Sequence, residues 1–202
     1  LRDKSEVQMR AMRGREIAMI FQEPMSAFNP LLTIGAQISE VMQYHEGLTL
    51  HAALARAGTL LQRTGITDVQ RCLSNYPHQL SGGQRQRAMI AMALACKPKL
   101  LLADEPTTAL DVALRAQIVS LLLELQLEFG MAVILITHDL NLVRSFAQRV
   151  GVMEKGSLVE LATTEALFSS PQHPYTKRLL DSVPKRALPP FPVHAPILLD
   201  AQ

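Results

Sequence analysis

Apolar runs of strand length alternate with helical patterns along much of the chain. Residues 17–21, 100–103 and 131–136 are continuously apolar and show no polar alternation. Continuous apolar runs of this length are typical of strands that are buried on both faces of a sheet. The pattern therefore predicts three strands that belong to a covered sheet.

Helical periodicity fills the intervals between these runs. Residues 34–45 and 50–63 have apolar positions at helical spacing, and residues 111–129 form a longer amphipathic pattern. Asp111 is predicted to cap the last helix and Gly130 to end it. Strands separated by helices require crossover connections, so the predicted fold class is α/β with a mainly parallel sheet.

The carboxyl-terminal part has a different pattern. Residues 150–153 and 158–161, which are mostly apolar, flank the polar segment 154–157, which suits a hairpin loop. Five prolines lie within residues 184–196. This tail is predicted to be extended.

Composition narrows the class of protein. The chain has 202 residues, 48% of them hydrophobic, and 20 basic against 18 acidic side chains give a net charge of +2. This balance supplies a globular core but no electrostatic reason to expect a nucleic-acid partner. The two cysteines, Cys72 and Cys96, have no metal-binding spacing, so free thiols in a reducing compartment are expected. The longest apolar run, residues 88–96, falls short of the 18 or so that a membrane-spanning helix needs.

Two carboxylates follow the predicted strand 100–103. Asp104 is suited to Mg²⁺, and Glu105 is suited to orienting an attacking water, as nucleotide hydrolysis requires. Taken alone, an Asp-Glu-Pro turn after a strand is more often a plain loop start. This segment by itself therefore leaves both interpretations open.

The segment Leu80-Ser81-Gly82-Gly83-Gln84 precedes another predicted helix. Ser81 can cap that helix, and its first amide groups and dipole favour an anion such as a phosphate. A helix cap alone would explain Ser81, but it would not explain two adjacent glycines, which weaken a helix. The glycines therefore favour close approach of the backbone to a ligand.

In their order, these segments resemble the motifs of the ATP-binding-cassette (ABC) ATPases. FQEP around Gln22 resembles the Q-loop, LSGGQ at residues 80–84 the signature, LLLADEP at residues 100–106 the Walker B strand, ALD ending at Asp111 the D-loop, and ITHD around His138 the H-loop. The resemblance implies a partial P-loop NTPase (RecA-like) α/β core with the ABC helical subdomain. It divides the chain into core with Q-loop (1–30), helical subdomain (31–95), carboxyl-terminal core (96–168) and a carboxyl-terminal extension (169–202).

The resemblance also implies roles for individual residues and names the ligands ATP and Mg²⁺. Glu105 would polarise the attacking water, His138 would contact the γ-phosphate, and Asp104 would hold Mg²⁺ through water. Gln22 would be both catalytic and metal-sensing. Members of the family form dimers with ATP between the two subunits. The signature residues would bind ATP held by the opposite subunit; they are Ser81, Gly82, Gly83 and Gln84. Asp111 of the D-loop would lie at the dimer interface.

The flanking segments resemble those of dipeptide and oligopeptide importer ATPases. They are FQEPMSAFNP and the segment 170–184, SPQHPYTKRLLDSVP, in which a helix is predicted to begin near His173 with Pro174 in its first turn. The implied partners are transmembrane permease subunits, contacted by residues 33–71, and a second ATPase subunit or domain arranged head to tail. No nucleic acid and no direct contact with the transported solute are expected. The implied location is peripheral, at the cytoplasmic face of the inner (plasma) membrane.

No Gly-x-x-x-x-Gly-Lys-Ser/Thr sequence occurs in the 202 residues. The expectation is that this Walker A loop and its strand precede Leu1, and that the chain is inactive alone. The strand would lie between residues 131–136 and 150–153, so its loss would leave an open sheet.

The resemblance thus favours an ATPase subunit that drives an importer of peptides or related solutes, and two alternatives remain open. The first is a non-catalytic remnant or regulatory module. The second is an ABC ATPase acting on DNA or ribosomes, whose DNA-repair type is disfavoured by the short interval from Gln22 to Ser81.

Overall fold

The computed structural model describes residues 3–108 and 110–182. The strands are Ile17–Ile20 (β1), Leu100–Asp104 (β2), Ala132–Ile136 (β3), Arg149–Glu154 (β4) and Ser157–Thr163 (β5). The helices are Glu6–Met12 (α1), Pro24–Ala27 (α2), Ile34–Glu46 (α3), Leu50–Arg63 (α4), Val69–Ser74 (α5), Gly82–Ala93 (α6), Val112–Phe129 (α7), Leu140–Phe146 (α8), Thr164–Ser169 (α9) and Pro174–Asp181 (α10), with a 3₁₀ turn at Pro77–Gln79. The backbone forms two compact units that divide between Phe146 and Ala147.

The sheet of the first unit is parallel, with strand order β1-β2-β3. Ile17 pairs with Leu100, and Leu100 pairs with Ala132, so the three strands begin in register. The α/β class and the three strand positions predicted from the apolar runs are confirmed. Because the strands are parallel, the segments that follow them leave from one edge of the sheet.

The prediction that these strands are buried on both faces is wrong. Leu101 and Ala103 are fully buried on one face of β2, whereas its other face is only partly covered. On β3 the contrast is stronger, because Ile134 and Ile136 are about half exposed, at 50% and 49%. The described part of the chain covers one face of the sheet with helices and leaves much of the other accessible. The apolar pattern of a strand does not show which elements of the chain cover its two faces.

The helical region after β1 is built on the predicted periodicity. Thr33 caps α3 and Thr49 caps α4, each by accepting a hydrogen bond from a backbone N–H in the first turn. Both helices then present apolar faces whose residues Ile38, Met42 and Leu61 are fully buried. Helix α6 packs against the same core, since Met89 and Ile90 are also fully buried.

Helix α7 is capped and terminated by the two residues that the sequence predicts. The Asp111 carboxylate accepts the Leu114 N–H at 2.8 Å, which caps the helix. Gly130 follows Phe129 with a left-handed backbone, φ 61°, a conformation that costs glycine little and other residues more.

The second unit contains the predicted hairpin. Strands β4 and β5 are antiparallel, and Lys155 and Gly156 form the turn between them. Helices α9 and α10 follow, and α10 has Pro174 at its first position with His173 as its cap, as predicted. The proline-rich tail prediction lies outside the described residues. The domain division at residues 30, 95 and 168 stays a prediction.

Candidate functional site

Three of the predicted site residues follow the three parallel strands. Gln22 comes two residues after β1, Glu105 follows β2 directly, and His138 comes two residues after β3. The strands are in register, so their carboxyl ends bring these three side chains to one edge of the sheet.

The side chains of Gln22 and His138 both contact the Glu105 carboxylate. Gln22 donates its Nε2–H to Glu105 Oε2 at 2.7 Å. His138 Nδ1 lies 2.9 Å from Glu105 Oε1, where a carboxylate can only accept, so Nδ1 carries the proton of this bond. The structure therefore joins residues that are 83 and 33 positions apart in the sequence.

Thr108 is a fourth member of this cluster, and the sequence analysis missed it. Its hydroxyl donates to Glu105 Oε2 at 2.9 Å. Both residues lie in one turn, closed by a hydrogen bond from the Thr108 N–H to the Glu105 carbonyl at 3.1 Å. The signal in the sequence was a hydroxyl residue three positions after the carboxylate, a spacing that a tight turn brings together.

The Glu105 backbone is held in an uncommon conformation. Its φ is +44°, in the left-handed region that residues with a side chain seldom occupy. Its N–H donates to the Ile136 carbonyl at 2.9 Å, which continues the β2–β3 pairing by one residue. Such conformations persist where the surroundings fix them, and they are frequent at functional sites.

The hydrogen bonds also set the charge state of Glu105. The bond from His138, then that from Thr108 and that from Gln22, hold the pKa of the Glu105 carboxyl below its ordinary value, against the opposing effect of desolvation. The group is therefore ionised at neutral pH. An ionised carboxylate beside the sheet edge is able to accept a proton from water.

Asp104 ends β2, opposite Ile136 in the pairing with β3. The described residues contain no cluster of three His, Cys, Asp or Glu side chains able to hold a metal ion by themselves. Mg²⁺ commonly binds one or two protein carboxylates and completes its shell with water and substrate phosphates. Asp104, together with the Gln22 amide that contacts the neighbouring Glu105, therefore fits a nucleotide-bound Mg²⁺ better than a separate metal centre.

The signature segment forms the start of α6. The Ser81 hydroxyl accepts the Gln84 N–H at 3.3 Å, and the Ser81 N–H donates to Gln84 Oε1 at 3.0 Å. This reciprocal pair is a capping box, so the predicted cap is confirmed. The Ser81 hydroxyl and the Gln84 side-chain oxygen are thus both used in capping the helix.

The two glycines of this segment differ. A Cβ at Gly83 would lie 2.9 Å from Leu114 Cδ2 of α7, so close helix packing accounts for that glycine. A Cβ at Gly82 would meet nothing within 4 Å. Packing therefore does not explain Gly82, and its open backbone is the one that a ligand can approach.

Asp111 is engaged as the cap of α7, as described above. One turn further along α7, Arg115 forms an ion pair with Asp139 at 3.2 Å. Asp139 Oδ1 in turn accepts the N–H groups of Asn141 and Leu142 at the start of α8. This ion pair connects the segment after Asp111 with the segment that carries His138.

In the second unit, Glu160 of β5 accepts two backbone hydrogen bonds. The Gln172 N–H donates to Oε1 at 2.9 Å and the His173 N–H donates to Oε2 at 3.0 Å. These bonds, that of Gln172 first, hold the pKa of the Glu160 carboxyl below its ordinary value. The sequence analysis did not predict this contact between the hairpin and the segment 170–184.

Comparison with known families agrees with this arrangement. Residues 1–108 match the sequence model of the ABC transporter family, which is more than half of the chain. The chain belongs to the ABC transporter family. Residues 159–190 also match the oligopeptide/dipeptide transporter, C-terminal region.

Curated ABC relatives resemble nearly all of this chain. The peptidoglycan transport ATP-binding protein YejF of Agrobacterium fabrum is 52% identical over 191 residues, which cover 95% of this chain and 35% of that protein. The glutathione import ATP-binding protein GsiA of Salmonella paratyphi A is 53% identical over 185 residues, which cover 92% of this chain and 30% of that protein. The chain spans about a third of the length of these relatives.

Solved ABC structures share the fold. The dimeric post-hydrolysis state of the ATP-binding cassette MJ0796 bound to ADP and Pi has a TM-score of 0.71 at 31% identity and covers 80% of this chain and 68% of that one. The structure of cbiO1 from Clostridium perfringens, part of the ABC transporter complex cbiONQ, has a TM-score of 0.69 at 29% identity. The match covers 83% of this chain and 64% of that one. The partial ABC ATPase core predicted from the motifs is confirmed.

Among the described residues, none of the helices has the length and apolar character needed to cross a membrane.

Proposed function

We propose that this chain is part of an ATP-hydrolysing subunit that energises an importer for peptides or related solutes. The observation that carries the proposal is the convergence of Gln22, Thr108 and His138 on the ionised Glu105 carboxylate. The match of residues 159–190 to the oligopeptide/dipeptide transporter region supports the solute class.

In the proposed reaction, Glu105 accepts a proton from the water that attacks the γ-phosphorus of ATP. The bond from phosphorus to the bridging oxygen breaks, and ADP leaves with the electron pair. His138, freed from Glu105, donates to a γ-phosphate oxygen. A bound Mg²⁺ would supply charge stabilisation at the phosphates, with Asp104 and Gln22 as its protein contacts.

We assign the signature segment to the partner subunit's nucleotide. Ser81, Gly82, Gly83 and Gln84 would meet ATP held by a second ABC subunit or domain, and Asp111 would lie at the seam. The open backbone at Gly82 and the outward amides of a capped helix start support this role. The dimeric state named for the MJ0796 structure supports pairing with a second subunit. The head-to-tail arrangement is part of the proposal.

The remaining proposed partners are permease subunits in the membrane. Two transmembrane permease subunits would contact residues 33–71, and the subunit would lie at the cytoplasmic face of the inner (plasma) membrane. It would not touch the solute. YejF and GsiA are named for peptidoglycan transport and glutathione import, so short peptides and glutathione-like compounds are the solutes to test first.

A second candidate is a non-catalytic remnant or regulatory module. It is favoured by the lack of a Gly-x-x-x-x-Gly-Lys-Ser/Thr sequence in these 202 residues, because that loop supplies the phosphate-binding amides and lysine. For the same reason we propose that the 202 residues by themselves do not hydrolyse ATP.

Transport by reconstituted protein separates the two candidates. The protein encoded by the complete reading frame that contains this sequence would be purified with its permease subunits and reconstituted in liposomes. ATP-dependent uptake of labelled glutathione or dipeptides, lost in Glu105→Gln, supports the importer ATPase. Binding of permease without ATP hydrolysis supports the regulatory module.

A further inference from the structure

Gln86 is a buried amide of α6 that points to the Glu105 turn. Its residue is only 2% exposed. Its Nε2–H donates to the Pro106 carbonyl at 2.7 Å. A buried amide without a partner is costly, so this bond fixes both the Gln86 side chain and the peptide unit that it holds.

The Pro106 carbonyl lies between the two ends of the functional turn. On one side, Glu105 has the left-handed backbone, and on the other, Thr108 returns its hydroxyl to the Glu105 carboxylate. A shift of the Pro106–Thr107 peptide would change the distance between the Thr108 hydroxyl and the carboxylate. The position of Glu105 Oε2 therefore depends on a contact made from another element.

That element is the helix that begins with the signature segment. Gln86 lies five residues after Ser81, roughly 7.5 Å along the axis of α6. Two further contacts fix this helix, because Arg87 donates to the Thr64 carbonyl at 2.6 Å and to Gln117 Oε1 at 3.0 Å. The start of α6 and the Glu105 turn are thus joined by one helix and one hydrogen bond.

We propose that Gln86 is a positioning residue for Glu105, acting through the Pro106 carbonyl. The role rests on the proposed ATPase function. It links the helix assigned to the partner's nucleotide with the carboxylate assigned to this subunit's own water.

The test compares Gln86→Met with Gln126→Met in the protein encoded by the complete reading frame that contains this sequence. Both changes replace an amide by a thioether, but Gln126 lies near the end of α7, outside the proposed site and outside the contacts that fix α6. We expect Gln86→Met to lower kcat for ATP hydrolysis about tenfold, the size of one lost buried hydrogen bond, with KM within about twofold of wild type. Gln126→Met should leave kcat unchanged.

A double variant separates positioning from general damage. In the Glu105→Gln background, Gln86→Met should produce no further loss of kcat, because the group that it positions has been changed. Equal losses of kcat in both backgrounds would overturn the proposal. So would an unchanged kcat in Gln86→Met.

Amide exchange gives a readout that does not depend on activity. In Gln86→Met the Thr108 N–H should exchange at least about tenfold faster than in wild type, while the amides of α3 keep their rates. If Gln86→Met does not fold, Gln86→Asn is measured instead, since it keeps an amide but moves it away from Pro106. Unchanged exchange at Thr108 would overturn the proposal. A Glu105→Gln variant with normal turnover would instead contradict the proposed function.

Discussion

At the scale of single residues, the Glu105 carboxylate is defined by its donors. Gln22, Thr108 and His138 each donate to it, and together they keep its pKa low. Of the three, Thr108 lies in the same turn and is fixed by a backbone bond as well. It is therefore the donor that can be removed with the least change elsewhere.

Thr108→Val keeps the shape of the side chain and removes the hydroxyl. The Glu105 pKa should then rise, because one bond that favours the ionised form is lost. The acid limb of the kcat profile should therefore move to higher pH. At pH 7 the carboxylate stays ionised, but kcat should still fall about three- to tenfold, because one of the bonds that orient the carboxylate is lost. Steady-state ATP hydrolysis by the complete reading frame between pH 5 and pH 8 measures both effects.

Thr108→Ser is the matched control, because it retains the hydroxyl. Its pH profile should follow that of wild type. If valine and serine give the same profile, the Thr108 hydroxyl has no part in setting the Glu105 charge.

Much of this site was predictable from sequence because its residues lie in ordered motifs. Gln22, Glu105 and His138 were each found from the residues around them, and the structure brings them together. Thr108 and Gln86 were not found. Their roles depend on a turn geometry and on a contact between α6 and Pro106, and neither leaves a periodic pattern in the sequence.

At the scale of elements, Glu160 fastens the start of α10 to the hairpin. Its two oxygens accept the N–H groups of Gln172 and His173, just before Pro174 begins the helix. Since the folded pKa lies below the ordinary value, the ionised form is the one that holds the helix start. The contact is therefore complete above the unfolded pKa, about 4.3, and is lost as pH falls through the folded value.

We expect the amides of Gln172 and His173 to lose protection from exchange as the pH falls below about 4.3. Glu160→Gln should weaken this protection already at neutral pH and should remove its pH dependence, because the amide has only one acceptor oxygen. Amide exchange followed by NMR measures this. Glu165→Gln, an exposed carboxylate on α9, is the control and should keep the wild-type profile. Protection that persists in Glu160→Gln would contradict the assigned contact.

Element length decided which parts of the fold were predictable. Helix α4 has the predicted bounds, and α3 and α7 differ by a residue at an end, because each provides several turns of periodic pattern. The shorter helices α2 and α5, of four and six residues, were not predicted. A single turn contains too few positions to show a period, and its caps and tertiary contacts decide whether it forms.

At the scale of the whole molecule, the sheet of the first unit is open. Within the described residues β3 pairs with β2 alone, and β4 pairs with β5 in a separate sheet. This agrees with the expectation of an open sheet beside residues 131–136. The half-exposed Ile134 and Ile136 lie on this open strand, where unpaired edges favour aggregation.

The 202 residues expressed alone should release no phosphate from ATP above the level of a Glu105→Gln control. The reason is that these 202 residues contain no Gly-x-x-x-x-Gly-Lys-Ser/Thr loop to supply the phosphate-binding amides and lysine. A malachite-green assay on the purified chain measures the release. Phosphate above the control level would show that these residues hold ATP by other means.

The central claim is that Glu105 activates the water that attacks ATP. The most direct measurement is steady-state phosphate release by the complete reading frame, compared between wild type and Glu105→Gln, with ATP binding measured in both. Loss of the carboxylate should lower turnover by at least about 10²-fold while nucleotide binding is retained, because the amide keeps the shape but cannot accept the proton. Near-normal turnover in Glu105→Gln would contradict the account and would make His138 the next candidate for the base.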